Sequence, residues 1–438
     1  MYKIKSSETR DIFMEFMQKN GHLKIPGASV VPVNDPSLLF INAGMAPLKN
    51  YFSGKSSPPQ SDLCNVQPCI RTIDIEDIGD RHHLTFFEML GSWSINGYYK
   101  EKAISLAFEL LTEKMKLPSE RLYATVYDGE ENKGLPADEE SAQIWKNIGI
   151  PNSRIIRLKE DNFWTGGETG PCGPCTEVFY DTRNPDVQSY EESGHFDDKN
   201  RYIEIWNAGV FMQYNRTADG VYEKLPFTSV DTGAGLERLV MALNNFQNIY
   251  DIDTLRPYID YVNTELGAGQ NKDKVASVRR IVDHIRSATM IMSDGVFPDK
   301  DGQSYIPRRL LRRSSAIALL NDKPNFNFIE LSKMIINDMG NYYPGLNKNS
   351  ENIQRAILNE IGLFTKSVKR GVIQFDKITS NSNILSGEQV FNLRATYGMP
   401  LDLISEISKE RQITPDFESY KREFTKHQEV SRTSKVKS

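Results

Sequence analysis

The sequence predicts an α+β protein in which an antiparallel sheet flanked by helices is followed by a mostly helical domain. Two observations support this class: strand-like segments and turns dominate residues 20–240, and apolar residues recur with a helical period after about residue 250. The composition is globular, because 39% of the 438 residues are hydrophobic and 25% are charged. These values exclude a disordered, collagen-like or coiled-coil chain, and the length predicts two or three cores.

The first predicted element is an amphipathic helix near the N-terminus. Ser6 or Ser7 is a suitable N-cap, and Asn20-Gly21 provides a left-handed stop. Between them one apolar stripe repeats at helical spacing and consists of Ile12, Phe13, Phe16 and Met17. This stripe predicts a surface helix packed on a larger element.

Short strands and Pro/Gly turns follow, interrupted by a predicted helix over residues 103–115. Residues 121–128 alternate in the manner of a strand. Two further strands are predicted over residues 201–206 and 209–215, followed by a turn at residues 218–220. Hairpins of this kind indicate an antiparallel sheet.

The last part of the sequence is helical. A 3.6-residue period is kept by Val278, Ile281, Val282, Ile285 and Ala288, and by Ile353, Ile357, Ile361 and Phe364. The most linker-like stretch is residues 267–272, within a boundary region at 245–270. We therefore expect one domain over residues 1–245 and a helical domain over residues 246–438.

Charge and cysteine content bear on partners and compartment. The formal net charge of −5 argues against a general nucleic-acid coat, although positive charge is concentrated at Arg308, Arg309, Arg312 and Arg313. No apolar run approaches the roughly 20 residues of a membrane-spanning helix, and no export signal is recognisable. Because four cysteines in so long a chain do not form a disulfide framework, we expect a cytoplasmic protein without a membrane partner.

The first candidate cluster combines cations with aromatic rings. Arg81, His82, His83, Phe86 and Phe87 lie within seven positions. Cationic side chains suit phosphates and aromatic faces suit a base, so the cluster is typical of a nucleotide site. The alternative interpretation is a strand with a basic edge and a core phenylalanine.

A second cluster covers residues 229–238. Gly233 and Gly235 allow close backbone approach as a helix begins, and Arg238 lies one turn inside that helix, within reach of an anion. A plain turn is the alternative. Because no G-x-x-x-x-G-K-[ST] motif is present, any use of ATP does not involve a P-loop.

The third cluster is rich in glycine and proline over residues 166–175, which predicts an irregular loop. Cys172 and Cys175 have the spacing of metal ligands, and Cys64 and Cys69 could complete a four-thiolate zinc site. However, the second pair is more widely spaced and distant in sequence. We therefore expect turn or buried cysteines and no structural zinc.

Taken in order, these clusters resemble class II aminoacyl-tRNA synthetases, and in particular the alanyl-tRNA synthetase family. The matching stretches are residues 34–45, 86–91, 161–164, 169–177, 210–215, 230–238 and 283–287. The resemblance covers most of the chain and ends before the family's editing domain, so it indicates a short form. It implies a class II aminoacylation domain followed by a tRNA-recognition domain.

The resemblance also implies a site for ATP and Mg²⁺. Arg71 would bind the α-phosphate and Arg238 the distal phosphates, while His82 or His83 assists and Phe86 or Phe87 stacks on adenine. Arg71, Arg238 and His83 would be the catalytic set. Arg81 and Gly235 would complete the ATP site.

By the same resemblance, Asp231 would bind the ammonium group of L-alanine. The pocket for its methyl group would be shaped by Met45, Trp164, Asn207, Val210 and Gly233. In the helical domain, Arg308, Arg309, Arg312 and Arg313 would contact tRNA phosphates.

The sequence departs from the family at four places. Residues 72–80 form a shorter loop that lacks a lysine, and Ala208-Gly209 stands where one apolar residue is usual. Ala395 replaces an aspartate, and an asparagine is missing near Gly302. Because neither side chain can hydrogen-bond to a base edge, direct readout of tRNA is expected to be weakened.

The resemblance predicts an alanine:tRNA ligase that forms alanyl-adenylate and transfers alanine to tRNA. One alternative is a paralogue that activates alanine or another small amino acid for a different acceptor. A second is a non-catalytic relative that binds an amino acid or tRNA. Arg71, Asp231 and Arg238 weigh against the second alternative, because charged groups are costly to bury without a ligand.

Overall fold

The computed structural model describes residues 3–33, 35–197, 200–269, 271–380 and 382–435. It contains two compact units, Met1–Pro257 and Tyr258–Ser438. Position 34, where the first family-like stretch begins, lies outside the described residues.

The division between the units falls after Pro257, whereas the sequence analysis placed it after residue 245. Residues 246–257 belong to the first unit because they pack on it. Ile249 is buried, and its backbone N–H donates to the carbonyl oxygen of Arg81 at 2.8 Å.

The first unit is built on a nine-stranded mixed sheet. Its strands are β1 (Leu23–Lys24), β2 (Asp62–Ile70), β3 (Phe86–Ile95), β4 (Leu122–Tyr127), β5 (Ile155–Leu158), β6 (Phe163–Thr165), β7 (Gly170–Asp181), β8 (Tyr202–Arg216) and β9 (Tyr222–Gly235). The order is β1-β2-β3-β9-β8-β7-β4-β5, and β6 pairs with β7 off this path. The β1–β2 and β4–β5 pairs are parallel and the others are antiparallel. The predicted α+β class is confirmed.

Strand β8 is continuous, although two strands were predicted for this region. Asn207 is paired with Gly233, but the next aligned pair is Val210 with Asp231. Strand β8 therefore contains one more residue than β9 across this interval, which is a β-bulge. The bulge lies at Ala208-Gly209, where the sequence has two residues in place of the usual one. It explains why the alternation of the strand pattern is interrupted there.

Helices flank this sheet. They are α1 (Ser6–Lys19), α2 (Lys49–Phe52), α3 (Lys100–Glu109), α4 (Glu139–Asn147), α5 (Tyr190–Ser193) and α6 (Leu236–Leu243). Helix α1 confirms the predicted first helix, and its Phe13 ring lies 5.9 Å from that of Trp206, centroid to centroid. The predicted N-cap is wrong, because the helix begins at Ser6 itself and the Ser6 hydroxyl donates to Asp253 Oδ1 at 2.6 Å.

The second unit is mainly helical. It comprises α7 (Arg256–Leu266), α8 (Lys272–Ser293), α9 (Tyr305–Leu320), α10 (Phe328–Met339), α11 (Pro344–Thr379), α12 (Gly387–Tyr397), α13 (Leu401–Glu410) and α14 (Phe417–Lys435). The stretch predicted as a linker lies between α7 and α8, and a small parallel sheet of β10 (Ile384–Leu385) and β11 (Thr414–Pro415) was not predicted. None of the helices in the described part of the chain is long and apolar enough to cross a membrane.

A buried ion pair connects α1 to the sheet. Arg10 Nε donates to Glu88 Oε1 at 3.1 Å, and a second bond joins Arg10 Nη2 to Glu88 Oε2. Their side chains are only 7% and 2% exposed. The backbone N–H of Glu88 in turn donates to Glu237 Oε2 at 3.1 Å, so the same group of residues also holds the first turn of α6.

We predict that Arg10→Ala lowers the free energy of unfolding by about 3–5 kcal/mol, because it leaves the buried Glu88 carboxylate without its guanidinium. Urea unfolding monitored by circular dichroism measures this. Lys19→Ala is the matched control in the same helix: Lys19 pairs with Glu15 where both side chains are more than two-thirds exposed, so the expected change is below about 0.5 kcal/mol. Equal effects of the two substitutions would contradict the prediction.

Candidate active site

An open cavity lies at the ends of β3 and β9. Of the residues predicted for the site, it is lined by Arg71, His82, His83, Phe87, Gly233, Gly235 and Arg238. Residues that the sequence analysis did not select also line it, among them Asp74, Met89, Glu204 and Glu237. The fold thus brings segments from distant parts of the sequence around one space that contains both cations and carboxylates.

Phe87 provides the aromatic surface of this cavity. The Arg71 guanidinium lies over its ring, 4.9 Å from the centroid. Phe86, the other candidate for stacking on a base, has no exposed surface and does not line the cavity. Successive side chains of a strand point to opposite faces, so only one of two adjacent residues can reach the site.

His83 and His82 are held by Asp80. The Asp80 carboxylate accepts hydrogen bonds from the backbone N–H groups of His82 and His83, at 3.0 and 2.9 Å, and from the His83 ring. Burial raises the pKa of the Asp80 carboxyl, but these hydrogen bonds outweigh burial and hold that pKa well below its usual range. Arg81 does not line the cavity, and its carbonyl oxygen instead accepts the bond from Ile249.

Helix α6 begins directly after Gly235, and Arg238 lies in its first turn. Its Nη1 donates to both the carbonyl oxygen and Oε2 of Glu204, each at 3.2 Å. The pair is partly exposed, with side chains 23% and 35% accessible. Because the guanidinium is accessible and at a helix N-terminus, it can exchange Glu204 for an anionic ligand.

Two groups of side chains in this region could bind a metal ion. Ligand atoms of Asp80, His82 and His83 lie within 4.8 Å of one another, but two imidazoles do not suit Mg²⁺, which prefers oxygen ligands. The carboxylates of Asp74 and Glu204 line the cavity and provide such ligands. These residues therefore fit Mg²⁺ bound together with nucleotide phosphates.

Residues 8–438 match the family model described as tRNA synthetases class II (A). The chain belongs to this family of class II tRNA synthetases. It is 39% identical to an alanine–tRNA ligase of Acetivibrio thermocellus, over 99% of this chain and 49% of that protein. It is 41% identical to an alanine–tRNA ligase of Idiomarina loihiensis, over 95% of this chain and 48% of that protein. The chain thus spans about half the length of the curated relatives it matches, and the resemblance inferred from the motifs is confirmed.

A cluster of buried apolar side chains lies next to the cavity on the same sheet. It contains Met45, Trp93, Val210, Met212 and Cys175, with Trp164 packed against them. Asp231 lies directly opposite both Trp93 and Val210 in the sheet. Four of the predicted alanine-binding residues, Met45, Trp164, Val210 and Asp231, are therefore near one another.

Asp231 is a carboxylate in an apolar environment. It is 8% exposed, and Trp93 Nε1 donates to its Oδ1 at 2.7 Å. Burial raises the pKa of Asp231 to about 7, and the hydrogen bond from Trp93 opposes part of this rise. A buried acid of this kind favours a cationic ligand, which would restore the ionised form.

Asn207 and Gly233, the two remaining residues predicted for the alanine pocket, are paired with each other. Asn207 Nδ2 donates to Glu177 Oε1 at 3.3 Å, and its buried Oδ1 has no hydrogen-bond partner among the described residues. Gly233 lies beneath Met89, because a Cβ at this position would be 2.7 Å from the Met89 sulfur. The sequence analysis overlooked Met89 and Trp93, whose importance depends on pairing between strands.

The two cysteine pairs are far apart in the sheet. Cys64 and Cys69 are on β2, whereas Cys172 and Cys175 are on β7, so the loop predicted for residues 166–175 is partly a strand. Three strands separate β2 from β7, a distance of roughly 19 Å at 4.8 Å per strand. A single four-thiolate centre is thus incompatible with this sheet, and the expected lack of structural zinc stays a prediction.

The predicted tRNA-binding arginines lie on α9, in the second unit. Arg308 Nε and Arg312 Nε both donate to Glu360 Oε1 on α11, at 3.2 and 2.5 Å, and Glu360 is 8% exposed. Both arginines keep about a quarter of their side-chain surface accessible. Ala395 and Gly302 are exposed, as a surface that contacts a large ligand requires.

We predict that Asp231→Asn becomes more stable relative to the wild type as the pH rises from 5 to 8. The unfolded chain loses the Asp231 proton near pH 4, but the folded protein retains it until about pH 7. Between pH 5 and pH 8 the wild type therefore loses roughly 3 kcal/mol of stability, at 1.36 kcal/mol per pH unit. Asp231→Asn has no proton to lose at this position, so it does not undergo this loss. Urea unfolding of both proteins at pH 5 and pH 8 measures the difference. A pH-independent difference would contradict the raised pKa.

Proposed function

We propose that the protein is an ATP-dependent alanine:tRNA ligase. One observation carries the proposal: a cavity containing Arg71, Phe87 and Arg238 lies next to a buried carboxylate, Asp231, that is set among apolar side chains of the same sheet. A nucleotide and the ammonium group of a small amino acid can therefore bind to adjacent positions of one sheet. The match to class II tRNA synthetases and the similarity to alanine–tRNA ligases support this choice.

In the proposed nucleotide site, adenine stacks on Phe87, Arg71 binds the α-phosphate and Arg238 binds the distal phosphates. Arg238 exchanges Glu204 for phosphate oxygens. Asp74 and Glu204 would hold Mg²⁺, which neutralises phosphate charge when bound. His83, held by Asp80, donates a hydrogen bond to the phosphates, and Gly235 leaves room for the nucleotide.

The proposed chemistry has two steps. A carboxylate oxygen of alanine attacks the α-phosphorus, the bond to the β-phosphate oxygen breaks, and pyrophosphate leaves. Arg71 and Arg238 stabilise the charge that develops on the phosphoryl oxygens. A hydroxyl of the tRNA 3′ end then attacks the adenylate carbonyl carbon, and AMP leaves.

Alanine selection is assigned to the apolar cluster at Asp231. Asp231 binds the ammonium group, and Met45, Trp164 and Val210 limit the space to one methyl group. Apolar pockets of this size reject larger side chains by steric clash but discriminate weakly against smaller ones.

We assign tRNA binding to the second unit, with Arg308, Arg309, Arg312 and Arg313 contacting phosphates. Exposed Ala395 and Gly302 favour a second candidate, a paralogue that charges a different acceptor, because neither side chain can read a base edge. We place the protein in the cytoplasm, since its four free and buried cysteines suit a reducing compartment.

We predict alanine-dependent exchange of pyrophosphate into ATP, and a fall of roughly 100-fold or more in kcat/KM for ATP in Arg238→Ala, because a charge-assisted contact to the phosphates is lost. Arg201→Ala is the control: Arg201 directly precedes β8, the strand that carries Glu204, and pairs with Asp181 at 2.9 Å, but it does not line the cavity. Its exchange rate should stay within a few-fold of wild type. Exchange by Arg238→Ala at the level of this control would refute the nucleotide site.

We predict that charging of an acceptor-stem minihelix falls steeply with salt and changes less than tenfold when the base pair that identifies alanine tRNA is swapped. The arginines bind phosphate in any sequence, and each missing base contact forfeits about 1–3 kcal/mol of discrimination. Ala395→Asp restores an acceptor group and should increase the preference for the intact pair. A hundredfold preference in the wild type would show that other residues read this pair.

A further inference from the structure

Trp93 is hydrogen-bonded to the buried carboxylate of Asp231. It is paired with Asp231 across β3 and β9, so both side chains project from the same face of the sheet. Trp93 itself is fully buried. Its indole N–H donates to Oδ1 of Asp231, so that Oδ2 takes no part in this bond, and Val210 of the apolar cluster lies opposite Asp231 on the neighbouring strand.

The surroundings of Asp231 contain little other charge. Val210 faces it from β8, and Cys175 lies beyond Val210 on β7 with a thiol whose pKa is raised by burial, so that the thiol is neutral. Glu177 is opposite Asn207, one row further along the sheet. Among the described residues no cation acts on the Asp231 carboxylate, and the indole is its hydrogen-bond donor.

The Trp93 ring is fixed in place by glycines. A Cβ on Gly91 would lie 2.4 Å from the ring, and a Cβ on Gly44 would lie 3.0 Å from Cζ2. The backbone of β3 and of the loop at Gly44 therefore packs directly against the indole. Because the Trp93 ring is held on these sides, its indole N–H keeps a constant direction toward Asp231.

We propose that Trp93 is a positioning residue, which holds Oδ1 of Asp231 through the indole N–H and so presents Oδ2 to the ammonium group of the substrate amino acid. The proposal rests on the function proposed above. It assigns Trp93 no contact with ATP and no part in the transfer of atoms. Its effect is confined to the orientation and ionisation of Asp231.

This role has a pH signature. A hydrogen bond to the ionised form of an acid lowers its pKa, and for Asp231 the indole opposes the stronger effect of burial. Without the indole N–H, the carboxylate would stay protonated up to a higher pH. Amino-acid binding needs the ionised form, so the pH below which binding is lost would rise as well.

The test compares Trp93→Phe with the wild type in alanine-dependent ATP–pyrophosphate exchange from pH 6 to pH 9. Phenylalanine keeps an aromatic ring and removes the N–H. We expect the rise in KM for L-alanine at low pH to shift upward by about one pH unit, so that KM at pH 6 rises roughly tenfold while KM for ATP stays within twofold.

Trp145→Phe is the matched control. Trp145 is 1% exposed, and its Nε1 donates to Thr176 Oγ1 at 2.8 Å, so the variant loses a comparable buried hydrogen bond. It should lose stability and keep the wild-type pH profile. If Trp93→Phe has the same profile as Trp145→Phe, or raises both KM values equally without a shift in pH, the proposal is overturned.

Urea unfolding provides a readout without substrate. In Trp93→Phe the loss of stability with rising pH should continue about one pH unit further than in the wild type, and in Trp145→Phe it should not. If the wild type shows no amino-acid-dependent exchange, the proposed function fails, and the unfolding series still decides whether the indole controls Asp231. An unchanged unfolding profile in Trp93→Phe overturns the proposal even if exchange is present.

Discussion

The pairing register of strands β3, β9 and β8 is the constraint on which the site depends. One row across these strands consists of Trp93, Asp231 and Val210, and the next contains Gly91 and Gly233. The first row puts a carboxylate between an indole and an apolar side chain, and the glycines of the second leave room for the Trp93 ring and the Met89 side chain. A slip of one residue in any strand would move its side chains to the opposite face and abolish both features.

The bulge in β8 is part of the same constraint. In a regular strand, residues three positions apart point to opposite faces, so Asn207 and Val210 could not both line one pocket. The bulge absorbs the extra residue between them and restores the alternation, so that Val210 is again opposite Asp231. The arrangement around Asp231 is thus kept despite the additional residue, because the backbone accommodates that residue locally.

Three ionisable side chains of the first unit have partners before any substrate binds. Arg238 contacts Glu204, His83 contacts Asp80, and the buried Glu88 carboxylate contacts Arg10. Binding of an anion at Arg238 is therefore an exchange of one partner for another. Asp231 differs, because its hydrogen bond comes from a neutral indole. The site is therefore suited to bind a cation at Asp231 and an anion at Arg238.

The sequence by itself determined the α+β class, the first helix, the periodic helices of the second unit and the family, because these depend on local patterns and on contiguous motifs. It also selected half of the cavity residues, since glycine and arginine near a strand end carry a recognisable signal. Only the tertiary structure decided between Phe86 and Phe87, placed Arg81 outside the cavity and paired two α9 arginines with Glu360. It also identified Trp93 and Glu204. Each of these depends on which strand face is covered or on contacts between residues far apart in sequence, and local patterns do not encode either.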